Sequence, residues 1–429
     1  MAGEWPLVQL GDICDLFDGP HQTAPLTDDG PVVYLNVGDI REGRIELRLS
    51  GRVSEEAARS WSRRVVPEAG DVVFGYEATL GHAALLSSGH RWCLGRRVGL
   101  LRPRPERVDP RFLAYSWYSP RFQETLRANR VGGSTIESIR LTDLPSWRIA
   151  LPDLDEQRAI AHILGTLDDK IELNRRTNET LEAIARALFK SWFVDFDPVR
   201  AKSEGRDPGL PPHLADLFPD SLDNSELGEI PKGWRVTGLD ETATYLNGLA
   251  LQKYPPNDGG SLPVIKIAQL RAGHTDGADR ASVDIPPAYV VEDGDVLFSW
   301  SGSLEVEIWC GGRGALNQHL FKLTSGRFPK WFYFLWTRHH LPDFRGIAAG
   351  KATTMGHIQR GHLSAARALV PPPRLVEAMS AHFEPLLDNL IARRLQSRTL
   401  AALRDALLPK LIAGELRVSD AERSVGSMQ

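Results

Sequence analysis

Apolar side chains recur at alternating intervals of four and three residues along two stretches of this chain, and each series has a polar centre. The first series is Ile160, Leu164, Leu167, Ile171, Asn174, Asn178, Leu181, Ala185, Leu188 and Trp192. The second series is Met379, Phe383, Leu386, Leu390, Arg393, Ser397, Leu400, Arg404, Leu407 and Leu411. A heptad seam of this kind predicts a long helix whose apolar edge packs against another helix.

The polar centre of each seam bears on how the two helices pair. Asn174 and Asn178 lie at the centre of the first seam, and Arg393 and Ser397 lie at the centre of the second. Polar seam groups set register and orientation at some cost in stability. We therefore expect the two helices to pack on each other and to hold two globular domains apart. The alternative is that each helix packs back on its own domain.

Each seam also contains a point where a break in the helix is expected. Gly165 precedes a possible capping box formed by Thr166 and Asp169. Pro385 aligns with Thr166, and proline is tolerated in the first turn of a helix but not in its middle. The pattern therefore predicts a short helix, an interruption at the same place in both copies, and then a long helix.

The two seams belong to a duplicated unit. An offset of 219 residues separates Ile139 from Ile358 and Leu181 from Leu400, and upstream Gly70–Phe74 matches Gly294–Phe298. Short β-type runs bounded by turn residues precede each seam, which predicts an α+β fold with two strand-rich domains, each followed by a long helix. The expected regions are the first domain (1–150), the first helix region (151–197), a connector (198–233), the second domain (234–369), the second helix region (370–416) and a disordered tail (417–429).

Composition restricts the function classes. The 429 residues contain three well-separated cysteines and carry a formal net charge of −4. The odd, scattered cysteines make neither a disulfide framework nor a zinc spacing, so we expect a reducing cytoplasm. No run of 18 apolar residues occurs, so no membrane contact is expected. The net charge argues mildly against a free-standing nucleic-acid binder.

No motif predicts catalysis or metal binding in this chain. The segment from Gly346 to Ala352 resembles a phosphate-binding loop but is one residue short and lacks the hydroxyl that would bind magnesium. His339 and His340 have no acidic partners at metal-ligand spacing. We therefore expect a binding or scaffolding subunit with no catalytic residues and no metal or cofactor of its own.

Three segments carry a resemblance to a known family. They run from Leu151 to Arg158, from Trp192 to Lys202, and from Leu217 through Glu226 to Trp234. These segments closely resemble the specificity subunits of type I restriction-modification systems, and the resemblance covers essentially the whole chain. In the globular domains the similarity is one of pattern only, as expected where each subunit reads a different sequence.

The resemblance implies two target-recognition domains in a pseudo-two-fold arrangement, with the long helices forming an antiparallel, coiled-coil-like spacer. Each domain would read one half of a split site in double-stranded DNA. The subunit would have no catalytic activity and would recruit two modification subunits, which use S-adenosylmethionine to methylate adenine. Restriction subunits that use ATP and Mg²⁺ to translocate and cut DNA would complete the complex.

Candidate DNA contacts lie at matched positions of the two copies. Two loops rich in small and hydroxyl residues suit phosphate or base contacts, although they could equally cap a helix. They contain Gly133, Ser134 and Thr135 in the first copy and Lys351, Thr353 and Thr354 in the second.

A second matched pair of segments differs in chemistry between the copies. Gly95-Arg96-Arg97 matches Asn317-Gln318-His319. Asn and Gln can pair bidentately with adenine, and Arg with guanine, as two different half-sites would require. The resemblance implies an Asn-Gln pair here, from which the first copy departs. A structural interpretation, turn residues in a core hairpin, is the alternative.

These observations leave three hypotheses about function. The first is a DNA sequence-recognition subunit, and the second is a structural adaptor that tethers enzyme subunits through its helices. The third is an enzyme whose chemistry its motifs do not reveal. Only the first requires that the chain, together with a modification subunit, enrich a split motif from random DNA.

Overall fold

The computed structural model describes residues 5–41, 43–47, 49–132, 137–350 and 356–426. All three cysteines are free and buried, and burial raises the pKa of the Cys14 thiol to about 12. The cytoplasmic location expected from the cysteines stays a prediction. Within the described ranges, no helix combines the length and the apolar character needed to cross a membrane.

The chain divides into two compact units that do not coincide with the two sequence repeats. Unit 1 comprises residues 1–170 and 400–429, and unit 2 comprises residues 171–399. Each unit therefore contains one strand-rich module, part of the helix that follows it, and the far end of the helix from the other repeat.

Unit 1 contains thirteen described strands and the beginning of a long helix. The strands are β1 (Leu7–Gln9), β2 (Cys14–Asp18), β3 (Val32–Leu35), β4 (Ile40–Arg41), β5 (Arg44–Ile45), β6 (Gly51–Val53), β7 (Val72–Gly75), β8 (Ala83–Leu85), β9 (Trp92–Leu94), β10 (Val98–Pro103), β11 (Arg130–Val131), β12 (Ser138–Ile139) and β13 (Arg148–Ala150). The helices are α1 (Leu10–Ile13), α2 (Glu55–Trp61), α3 (Pro110–Ser116), α4 (Pro120–Ala128) and the start of α5 (Leu154–Phe193).

Unit 2 repeats this arrangement after the connector. Its strands are β14 (Leu222–Ser225), β15 (Gly228–Pro231), β16 (Arg235–Gly238), β17 (Thr244–Asn247), β18 (Ser261–Ile265), β19 (Arg280–Ser282), β20 (Val290–Val291), β21 (Val296–Ser299), β22 (Val306–Ile308), β23 (Gly314–Leu316), β24 (Leu320–Thr324) and β25 (Arg367–Val370). Its helices are α6 (Asp197–Ser203), α7 (Pro212–Ala215), α8 (Ile267–Ala272), α9 (Lys330–His339), α10 (Leu341–Ala349), α11 (Arg360–Ala365) and most of α12 (Pro373–Ile412).

Three sheets of unit 1 have counterparts in unit 2. The four-stranded sheet β2-β10-β7-β8 of unit 1 matches β17-β24-β21-β22 of unit 2. The order β6-β3-β9 is repeated as β19-β18-β23, and the pair β1-β13 as β16-β25. The α+β class with two strand-rich modules and two long packed helices is thus confirmed.

The expected interruptions of the long helices are wrong, because α5 and α12 each run unbroken for 40 residues. The Thr166 hydroxyl donates to the carbonyl of His162 within the helix instead of capping a new one. Gly165 leaves room for Arg111, whose Nη1 would lie 2.1 Å from a Cβ there. Pro385 is accommodated because buried neighbours such as Phe383 offset its cost of about 3 kcal/mol.

Within unit 2 the two long helices run antiparallel. The side chain of Asn174 donates to the Gln396 side chain at 2.9 Å and to the Ser397 hydroxyl at 3.2 Å. Further along, the rings of Trp192 and Phe383 lie edge to face at 5.5 Å. The polar centre of the seam is therefore an interhelical hydrogen-bond layer, and Asn174 within it is fully buried.

Every seam residue is at least partly buried. The buried seam residues include the leucines Leu167, Leu390, Leu407 and Leu411. The partly buried apolar ones are Ile171, Leu181, Leu188, Leu386 and Leu400, while Asn174, Asn178 and Arg393 supply the polar centre. Because the core of unit 1 also takes up Ile160 and Leu164, helix pairing and packing on the adjacent domain both occur.

The expected disorder of the tail is wrong over much of its length. Val418–Gly426 form helix α13, and Ala421 on this helix is completely buried in the core of unit 1. The polar composition of the segment hid this short amphipathic helix, which is ordered by contacts with residues distant in sequence.

A buried ion-pair network joins both long helices to the strand-rich module of unit 2. Arg394 on α12 binds Glu182 on α5 at 2.9 Å and Glu307 on β22 at 3.2 Å. Glu182 also binds Arg338 on α9 at 2.9 Å. Burial raises the pKa of Glu307, and the charge of Arg394 partly offsets that increase. Arg394 is therefore the cation that the two partly buried carboxylates Glu182 and Glu307 share.

Replacing this cation should destabilise unit 2. We expect Arg394→Met to lower the free energy of unfolding by about 3 kcal/mol, because it leaves Glu182 and Glu307 without their shared counter-charge. The control is Arg313→Met, which removes an exposed partner of Glu292 and should cost less than about 1 kcal/mol. Urea denaturation of the full chain followed by tryptophan fluorescence measures both. Equal losses of stability from the two substitutions would contradict the role of Arg394 as the shared counter-charge of Glu182 and Glu307.

Candidate nucleic-acid interface

Four backbone segments converge at one end of the four-stranded sheet in unit 2. They are residues 247–248, 300–302, 317–320 and 356–358, which we call loop cluster 2. Hydrogen bonds between them run from amide nitrogen to carbonyl oxygen: Trp300 to His319 (3.4 Å), Gly302 to Gly356 (2.8 Å), Ile358 to Trp300 (3.0 Å) and Gly248 to Leu320 (3.0 Å). The cluster forms here because β17 and β21 end, and β24 begins, at the same edge of the sheet.

Unit 1 builds a similar cluster from the matched segments 18–19, 76–78, 95–98 and 137–139, which we call loop cluster 1. The equivalent hydrogen bonds join Tyr76 to Arg97 (3.2 Å), Ala78 to Glu137 (3.0 Å), Ile139 to Tyr76 (2.9 Å) and Gly19 to Val98 (3.0 Å). These four backbone hydrogen bonds are therefore repeated in the two units.

The side chains on this common backbone differ. In loop cluster 1, Arg97 Nη2 forms an ion pair with Glu77 Oε1 at 2.9 Å. At the matched positions of loop cluster 2, the Ser301 hydroxyl and His319 Nδ1 are joined by a hydrogen bond of 3.0 Å. One cluster thus presents a guanidinium–carboxylate pair and the other a hydroxyl–imidazole pair at the matched positions.

Comparisons with known proteins relate the first half of the chain to a DNA specificity domain and nearly the whole chain to specificity subunits. A family model described as the type I restriction modification DNA specificity domain matches residues 2–183. The type I restriction enzyme MjaIX specificity subunit of Methanocaldococcus jannaschii is 25% identical, with 97% of this chain and 94% of that protein covered. The HindI specificity subunit of Haemophilus influenzae is 22% identical, covering 90% and 94%.

Over nearly its whole length the chain is therefore similar to specificity subunits of type I restriction-modification systems. A solved S subunit from M. genitalium shares its fold, with a TM-score of 0.56 and 16% identity over 95% of this chain and 96% of that one. Because identity to these relatives is low, the geometry of this chain itself has to indicate which residues could read DNA.

The structure brings together five of the residues that the sequence predicted as DNA contacts. Arg96 is exposed and Arg97 half-buried in loop cluster 1. In loop cluster 2, Gln318 and His319 are half-buried. Asn317 is buried, and its side-chain oxygen accepts from the His319 amide at 3.2 Å, so it closes the turn rather than facing solvent.

The other predicted contacts lie outside the described residues. They are Gly133, Ser134, Thr135, Lys351, Thr353 and Thr354. The described residues that come after them, Glu137 in unit 1 and Gly356 in unit 2, belong to the two clusters. The role of the six residues in DNA binding stays a prediction.

Neither Glu77, which follows β7, nor Ser301, which follows β21 at the matched position, was predicted from the sequence as a DNA contact. Glu77 and Ser301 contact the predicted residues Arg97 and His319, yet neither belongs to a recognisable motif. The sequence did contain a signal. Three residues after the matched runs Gly70–Phe74 and Gly294–Phe298, one copy has Glu77 and the other has Ser301. Without the hairpin register, nothing indicated that these positions face the turn before β10 and β24.

Polar groups beneath the two clusters are paired differently. In loop cluster 2, Trp300 Nε1 donates to the side-chain oxygen of Asn247 at 2.9 Å. At the matched positions of loop cluster 1, the buried Tyr76 hydroxyl lies beside the Asp18 carboxylate. Burial, and secondarily the Asp18 carboxylate, raises the pKa of Tyr76, so the phenol is neutral and can donate a hydrogen bond.

Backbone strain is concentrated in loop cluster 1. Ala78 and Arg97 adopt the left-handed conformation, with φ of 69° and 71°. The residue that matches Ala78 in unit 2 is Gly302, with φ of 65°, for which this conformation carries no steric penalty. Strain of this kind persists where the surrounding structure holds it and is concentrated at functional sites.

The strain leads to a paired prediction about stability. We expect Ala78→Gly to raise the free energy of unfolding by about 1 kcal/mol and Gly302→Ala to lower it by about 1 kcal/mol or more. A control, Ala84→Gly in the buried strand β8, should destabilise because it removes a buried methyl group and adds freedom to the unfolded chain. Urea denaturation measures all three. A destabilising effect of Ala78→Gly would show that residue 78 is not strained.

No group of three or more His, Cys, Asp or Glu side chains in the described part of the chain is arranged to hold a metal ion. The chemistry that the two clusters offer is hydrogen bonding and charge: a guanidinium, a carboxylate, a phenol, an imidazole and an amide at the end of a rigid sheet. These are the groups with which proteins contact base edges and phosphates.

Proposed function

We propose that this chain is the non-catalytic DNA-recognition subunit of its complex, and that loop clusters 1 and 2 each read one half of a split site. The observation that carries the proposal is the pair of clusters, in which four backbone hydrogen bonds are repeated while the matched side chains differ. A repeated backbone suits one docking geometry used twice, and different side chains suit two different half-sites.

The chemistry of the clusters favours reading in the major groove. Each base pair presents a distinct pattern of donors and acceptors there, which Arg, Glu, Gln, Ser and His can distinguish. Arg96, Arg97, Gln318 and His319 are at least partly accessible at the ends of sheets, where a rigid framework holds their backbones. Rigid support keeps the reading side chains within the narrow geometry that a bidentate contact requires.

The partners can be proposed on the same basis. A chain with a formal net charge of −4 gains little affinity from phosphate contacts alone, so other subunits would supply much of the neutralising charge. We propose two modification subunits, which bind S-adenosylmethionine and methylate adenine, and restriction subunits that use ATP and Mg²⁺. This chain would hold no cofactor itself and would position those enzymes on DNA.

The decisive experiment is selection from random double-stranded DNA by the complex of this chain with its modification subunit. The proposal predicts enrichment of two short motifs separated by an unspecified gap of constant length. The modification subunit alone should enrich no such motif. If the complex binds DNA but enriches nothing, the chain acts as a structural adaptor. Methylation or cleavage by the purified chain alone would instead make it an enzyme.

The long helices provide a second test. Four residues inserted after Lys170 within α5 would lengthen the helix by about 6 Å and rotate its C-terminal part by about 40° relative to its N-terminal part. That length corresponds to roughly two base pairs of DNA at about 3.4 Å each. We expect the gap between the two motifs to change or binding to be lost.

The same four residues inserted after Gly205, in the exposed turn that follows α6, form the matched control. This insertion should leave the motif and its gap unchanged, because no long helix passes through the turn. An unchanged gap after the insertion in α5 would refute the idea that the helices set the spacing.

A further inference from the structure

We propose that Arg97 reads a guanine in the half-site recognised by unit 1, and that Glu77 is the positioning residue that aims its guanidinium. The inference rests on the proposed function and assigns base chemistry to one of the two clusters. It follows from the surroundings of the Arg97 side chain, which differ from those of the matched His319 in unit 2.

The contacts of Arg97 leave most of its donors unused. One terminal nitrogen, Nη2, is bound to Glu77 Oε1 at 2.9 Å, and no other carboxylate among the described residues pairs with this guanidinium. A guanidinium has five N–H donors in a fixed fork, so a bidentate contact to O6 and N7 of guanine remains available. The Arg97 side chain is 27% exposed and the Glu77 side chain 28%, so neither is sealed from solvent.

The backbone holds the pair in one orientation. Arg97 adopts a left-handed conformation that arginine rarely occupies, and its carbonyl accepts from the amide of Tyr76, the residue that precedes Glu77. Both members of the ion pair are therefore attached to the same hydrogen-bonded backbone. An arginine fixed at its backbone and at one terminal nitrogen loses little further freedom when it binds a base.

Unit 2 provides the contrast that makes the inference specific. Its matched pair, Ser301 and His319, lacks a fork of donors, and Gln318 is the adjacent side chain able to form a bidentate contact, which suits adenine. Changes at Arg97 or Glu77 should therefore affect one half-site only. The other half-site serves as an internal control for folding and assembly.

The test is selection from random DNA by the complete chain with its modification subunit, comparing wild type with Arg97→Gln, Arg97→Lys and Glu77→Gln. We expect Arg97→Gln to reduce the preference for guanine at one position of one half-site by roughly tenfold to a hundredfold. Arg97→Lys should retain binding but also lose discrimination, because an ammonium cannot form the bidentate contact. Glu77→Gln should lower the preference less.

The matched control is Arg91→Gln, which removes another surface Arg–Glu pair of unit 1, that with Glu55. It should leave both half-sites unchanged. A positioning role for Glu77 also predicts that Glu77→Gln alters the base preference at that single position while the salt dependence of binding stays the same. A general structural role would instead weaken binding to every sequence.

The outcomes separate the inference from the function on which it rests. A wild-type complex that enriches no split motif would overturn the proposed function. A wild-type motif that persists unchanged in Arg97→Gln and Arg97→Lys would overturn only the assignment of Arg97. If Arg97→Gln abolishes recognition of both half-sites because the chain misfolds, the guanine preference measured for Arg97→Lys decides the question. Loss of guanine preference in one half-site with the other intact supports the inference.

Discussion

Each unit of this protein depends on apolar side chains contributed by the other sequence repeat. The core of unit 1 includes Leu407, Leu411 and Ala421 from the C-terminal end of the chain, and the core of unit 2 is built around Trp192 and Phe193 from the first helix. Burying side chains of this size stabilises a fold by about 1.5–3 kcal/mol each. Neither repeat can therefore complete its core alone, and the duplicated chain is one mutually dependent structure rather than two independent modules in series.

This exchange of helix ends explains why the long helices tolerate residues that usually end a helix. The first part of α5 packs in unit 1 and its remainder in unit 2, and the reverse holds for α12. Burial at both ends holds each helix in place across Gly165 and Pro385, so the local cost of these residues is outweighed. The buried layer around Asn174 then favours one register over neighbouring ones, because a shifted helix would leave its amide without partners.

In the two loop clusters the backbone sets the geometry and the side chains set the chemistry. Backbone amides and carbonyls define the position of each cluster, and these groups are the same whatever the side chains are. The side chains at residues 77 and 97, or at 301 and 319, can therefore differ without disturbing the sheet that supports them. Under the proposed function, substitutions at a few positions of these clusters would change the DNA sequence that is read while the fold persists.

The sequence alone determined the elements that depend on periodicity and repetition. The heptad seam, the 219-residue offset and the matched runs Gly70–Phe74 and Gly294–Phe298 predicted two long helices and two similar strand-rich modules, because helical and strand patterns are local in the chain. Only the tertiary structure decided what depends on distant contacts. The continuity of α12 through Pro385, the order of α13 and the pairing of Glu77 with Arg97 arise from burial and hairpin register, which join residues that no local pattern relates.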